Sequence, residues 1–143
     1  MKKQDEWLNN PIMICGLERS GTNFLISLLD SHPELVVYSE GHLHILGASL
    51  FEASKTINAE QKIQLLTHTD TFERVSNGRI KQGSVIIDAG ERLIDRDRFD
   101  EVVKVILRKD SNWWEVVQIF FRGFHAATSC RINYADRLKG FVE

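Results

Sequence analysis

Apolar positions come in short continuous blocks near the N-terminus and at three- and four-residue steps through most of the remaining chain. The run PIMIC at residues 11–15, closed by Gly16, has the length and boundary of a buried strand. Phe24, Leu25, Leu28 and Leu29 then recur at helical spacing, and Pro33 ends that pattern because proline disfavours helix in the residue before it. Residues 35–38, LVVY, are short and β-branched and predict a second strand that delivers Ser39 and Glu40 into a loop.

From there the pattern turns mainly helical, over residues 42–138. Helices are predicted over 43–54 and 59–75, the second opened by Asn58 as N-cap with Gln61 placed for a capping box and closed by Asn77 and Gly78. Residues 84–88, SVIID, predict a third strand between Gly83 and Gly90. Residues 99–109 and 112–129 predict an antiparallel helical pair, with Ser111 as the cap of the second. Trp113, Val117, Phe120, Phe121 and Phe124 share one face of that second helix, which predicts core packing in preference to an aromatic ligand cage. No internal repeat is present, and strands alternating with helices predict an α/β layer fold with a mainly parallel sheet.

The 143 residues fit one domain with a real core, and a formal net charge of -2 gives no general attraction to nucleic acid or anionic membrane. Any anion site must therefore be local. No apolar stretch approaches the roughly 20 residues that span a bilayer, and the two cysteines, Cys15 and Cys130, form neither a CxxC pair nor a disulfide framework. A cytoplasmic protein is the expectation.

Residues 16–23, GLERSGTN, set Gly16 and Gly21 at the spacing of a Walker A loop, between an apolar strand and an amphipathic helix. Backbone N–H groups in such a loop converge on phosphate oxygens, and the helix N-terminus adds partial positive charge. A nucleoside-triphosphate enzyme places lysine after the second glycine, where this chain has Thr22, and the cation here is Arg19, within the loop. Its planar guanidinium suits bidentate contact with phosphate or sulfate. A structural strand-to-helix turn is the bland alternative for the glycines alone.

At Arg19, Ser20, Gly21, Thr22 and Asn23 the chain resembles the sulfotransferase family, whose 5′-phosphosulfate loop follows a first strand and reads arginine or lysine, serine, glycine, threonine, then threonine or serine. The resemblance continues through the apolar helix to the His32-Pro33 step. It extends to residues 36–40, VVYSE, which look like the segment carrying the catalytic glutamate of tyrosylprotein sulfotransferases and related bacterial enzymes; Glu40 is the matching position. Residues 139–143, KGFVE, resemble the lead-in to a later Lys-Thr-Pro segment of bacterial members. Glu18 stands where many relatives carry proline, and Asn23 replaces a second hydroxyl residue while keeping an amide donor.

The resemblance implies an enzyme of P-loop-like three-layer α/β fold, here incomplete at its C-terminal side. Residues 11–40 would be the donor-binding unit of a single, truncated domain. It further implies 3′-phosphoadenosine 5′-phosphosulfate as donor and a hydroxyl-bearing acceptor, whether carbohydrate, phenol, other small molecule or protein tyrosine, with no nucleic acid, membrane or metal partner. Arg19 would stabilise charge on the leaving phosphate and Glu40 would act as general base, with Ser20, Gly21, Thr22 and Asn23 holding the donor. For Glu40 considered alone, a solvated loop carboxylate is the ordinary reading. Glu40, His42 and His44 alternate as three ligands on one strand face would, but no further His/Cys cluster supports a metal site. The family also grips the donor's 3′-phosphate with an arginine on a later strand and a following serine. Arg108 is the candidate within the chain, yet its surroundings read as helix and Val116 stands at the serine's distance. That motif is expected beyond residue 143. A phosphate-binding module without transfer chemistry, or a truncated remnant, is the alternative.

Overall fold

The computed structural model describes residues 3–14, 20–29, 32–38, 56–82, 85–88, 94–128 and 140–142. In chain order the elements are a 3₁₀-helix (Lys3–Asn9), β1 (Pro11–Ile12), α1 (Thr22–Leu29), β2 (Leu35–Val37), α2 (Ala59–Thr67) and α3 (Asp70–Ser76). They are followed by β3 (Arg79–Gln82), β4 (Val85–Asp88), α4 (Arg96–Ile106), α5 (Trp113–Thr128) and β5 (Gly140–Val142). They fall into two compact units, residues 1–42 with 132–143, and residues 43–131.

In the first unit β1, β5 and β2 form a three-stranded parallel sheet with β5 in the centre. Ile12 and Val37 both register with Val142, one from each side. α1 lays Ile26 and Leu29 against Val37, Leu35 and Ile14; of the predicted stripe only Leu29 takes part, and Phe24, Leu25 and Leu28 are exposed. Its end is also as predicted: His32 N–H donates to the Leu29 carbonyl and Leu35 N–H to the His32 carbonyl, a turn built around Pro33. Two expectations change. The first strand covers Pro11–Ile12, with Cys15 outside the described residues, and Ile12 and Met13 are exposed. The lead-in at residues 140–142 is itself the central strand, which local pattern did not predict.

β5 reaches that position through Gly140. A Cβ there would lie 2.6 Å from the Asn10 carbonyl oxygen, a backbone atom that cannot swing aside, so only glycine admits the close approach to β1.

The second unit is built on α5. The predicted antiparallel pair is present: α4 packs along α5, and Asp95 N–H donates to the Ala127 carbonyl, tying the start of one helix to the end of the other. Phe72, Phe99 and Phe120 meet in near edge-to-face contacts with centroids 5.0, 5.6 and 5.7 Å apart, the arrangement that ring quadrupoles favour. Phe120 also touches Phe121 and Phe124. The aromatic face is therefore core, as expected, though Trp113 at its start is only half-buried.

Three local expectations are corrected. The helix predicted over 59–75 is two helices, because Thr69 Oγ1 accepts from the Phe72 N–H and starts α3 anew; the Asn58–Gln61 capping box of α2 is as predicted. Asn112, not Ser111, caps α5, exchanging reciprocal bonds with Glu115, while Ser111 Oγ accepts from the Arg108 N–H. The third predicted strand is β4, paired antiparallel with the unpredicted β3 in a two-stranded hairpin separate from the parallel sheet. The helix expected over 43–54 lies outside the described residues. Among the described residues no helix is long and apolar enough to cross a membrane.

Candidate functional site

The site resemblance falls on the first unit, where parallel pairing sets a geometric frame. Because β1, β5 and β2 run in the same direction, their carboxyl ends leave the sheet at one edge. Open α/β sheets bind ligands at that edge. Ile12 and Val37 flank the same residue of β5, so the segments leaving β1 and β2 start roughly 10 Å apart, two interstrand spacings. The segment leaving β1 leads to the Gly21 turn. The one leaving β2 leads, after buried Tyr38, to Ser39 and Glu40.

Gly21 has φ +90 and caps α1, its carbonyl accepting from the Leu25 N–H. A side chain is strained at that φ, and among the described residues nothing stands within 4 Å of where a Cβ would be. Ser20 and Gly21 are exposed and Thr22 is half-buried at the first helical position. The opening N–H groups of α1 have no intrahelical acceptor by construction, and no acidic side chain sits in its first turn to occupy them. A left-handed turn followed by a helix with no acidic residue in its first turn suits an anionic oxygen cluster such as a phosphate or phosphosulfate.

Of the predicted site residues, Ser20, Gly21, Thr22 and Asn23 are thus at the start of α1. Arg19 and Glu40 lie outside the described residues, as do Gly16, Glu18, His42 and His44. Among the described residues no group of three His, Cys, Asp or Glu side chains is placed to hold a metal ion. Arg108 does not end a strand: it is exposed in the turn after α4, its N–H bonded to Ser111 Oγ. The helical reading of residues 102–107 holds to Ile106. Sequence reasoning missed β5 as part of this frame; the apolar pair Phe141-Val142 after Gly140 was the available signal.

A family model described as the sulfotransferase family matches residues 11–117, from the first residue of β1 into α5. No curated protein and no solved structure matches the chain.

Proposed function

This chain belongs to the sulfotransferase family, whose model covers most of its length, and on that premise we propose that its parallel-sheet unit is the donor-binding part of a P-loop-like, three-layer sulfotransferase domain. The donor would be 3′-phosphoadenosine 5′-phosphosulfate and the acceptor a hydroxyl on a carbohydrate, phenol, other small molecule or protein tyrosine. The observation that carries the reading is the Gly21 turn, at positive φ, feeding an α1 N-terminus free of acidic residues.

Each residue then has a defined task. The N–H groups of the first turn of α1, with the Ser20 and Thr22 hydroxyls and the Asn23 amide, grip the 5′-phosphate oxygens. Arg19 keeps its charge at neutral pH, so it stabilises the leaving phosphate electrostatically and does not donate a proton. When bound, the donor supplies the sulfuryl group; its sulfur–oxygen bond to phosphate breaks as one to the acceptor oxygen forms. Glu40, on the segment that follows β2, receives the acceptor's proton.

Transfer of radiolabelled sulfate to a panel of phenols and sugars tests this. Arg19→Ala and Glu40→Gln are each expected to lower the rate about a hundredfold or more, the lower end of the range for removing a general base or one transition-state contact. Undiminished transfer in both variants removes the assignments. The same Gly21 turn would also serve a phosphate-binding module without transfer chemistry, which is the second reading. That reading predicts nucleotide binding with no labelled product from any acceptor.

A further inference from the structure

In the second unit, α2 and α4 border a trough of about 780 Å³. Its volume lies within the range of pockets that hold one small organic molecule. Buried Ile63 from α2 and buried Phe99 and Val103 from α4 form an apolar floor that continues to half-buried Leu107.

The polar groups are unevenly distributed along it. Lys62 Nζ donates to the Ser111 carbonyl, which brings the turn after α4 alongside the first half of α2. Lys104, Arg108 and Lys109 therefore gather toward the α2 N-terminal end of the trough; the acidic residues in the lining are Glu60 and Asp100. Among the described residues none of the three cations forms an ion pair. At the other end Arg96 is already engaged, 3.9 Å from Asp100 and over the Phe72 ring.

We propose that this trough binds a single amphiphilic organic anion, its apolar body on Ile63, Phe99, Val103 and Leu107 and its anionic head on Lys104, Arg108 and Lys109. The apolar floor selects against simple inorganic anions, and the cation excess at one end selects against a cationic or neutral head. The eleven residues of α4 offer a wall of roughly 16 Å. That length matches one extended ten-carbon chain and its head better than a docked helix of several turns. None of this depends on the donor site, and the trough would serve the same class of ligand if the transfer chemistry were absent.

Titration calorimetry on the full chain with decanoate and with decyltrimethylammonium below their micelle concentrations tests the proposal. Decanoate is expected to bind one to one, and the cationic amphiphile not to bind. The double variant Lys104→Glu/Arg108→Glu, at exposed positions, is expected to weaken decanoate at least tenfold. Gln64→Trp, an exposed lining position where a larger side chain fills the trough, is expected to do the same without changing charge. Equal binding of the two amphiphiles overturns the proposal, as does decanoate binding that neither variant alters. Loss of binding on Leu28→Ser alone would move the site to the exposed apolar face of α1 and overturn it as well. Binding of phosphatidylglycerol vesicles with the same variant sensitivity, without binding of free decanoate, would identify a lipid surface instead.

Discussion

The two units of this chain hold themselves together by different means, and the difference separates structural from chemical residues. Residues 43–131 rest on an aromatic cluster, Phe72, Phe99 and Phe120, contributed by three helices within fifty residues of chain. Residues 1–42 with 132–143 rest on a sheet whose central strand pairs with partners more than a hundred residues away in the chain. There α1 buries Ile26 but leaves Phe24, Leu25 and Leu28 exposed. Residues 43–131 contribute no described residue of the candidate site, and the unit that carries Gly21 and Thr22 depends on long-range pairing, which closes only after a large loop entropy is overcome.

The largest expected effect is in the aromatic unit. Phe120→Ala removes the ring shared by four aromatic contacts at 0% exposure and is expected to cost about 3–5 kcal/mol, read as a lowered urea midpoint. Gly140→Ala comes next, at about 1–3 kcal/mol for overpacking against backbone. Its effect should stay within the sheet unit: amide exchange is expected to accelerate in β1 and β2 while α5 keeps its protection. Asn112→Ala, which strips α5 of its reciprocal cap, is expected to cost about 1 kcal/mol in the same urea titration.

The smallest effect is a pH slope. Burial lowers the His125 pKa from its ordinary 6.5, outweighing its favourable place in the last turn of α5. The unfolded chain then binds that proton more tightly than the folded one. The stabilisation is present above pH 6.5 and is lost as pH falls through the lower folded value. His125→Gln should flatten the profile of urea midpoints on the acid side of pH 6.5 relative to the parent chain.

The same contrast explains what could be read in the sequence. Where bonds are local, the reading held: Asn58 and Gln61 cap α2, Pro33 closes the turn after α1, and the aromatic face of α5 is core. The errors in the helical unit were competitions between local signals. Thr69 looked like an interior helix residue but caps α3, and Asn112 displaced Ser111 as the cap. β3, Arg79–Gln82, is short and mostly polar, so only its pairing with β4 makes it a strand. β5 was missed for a stronger reason: a three-residue strand owes its existence to β1 and β2, and no window around residue 140 contains them. At the candidate site, the strand-loop-helix order was legible up to the helix start, which the structure sets at Thr22, while the parallel pairing that ends β1 and β2 at one edge of the sheet is a property of β5 alone.

The central claim is that the Gly21 turn holds the 5′-phosphate end of a sulfuryl donor with Arg19 as its cation. Isothermal calorimetry of the chain with 3′-phosphoadenosine 5′-phosphate and with ATP, repeated on Arg19→Ala, tests it most directly. The bisphosphate is expected to bind more tightly than ATP and to lose at least about tenfold in affinity in the variant, as removal of a charge-assisted contact should produce. Tighter binding of ATP, or bisphosphate binding that Arg19→Ala leaves unchanged, would contradict it.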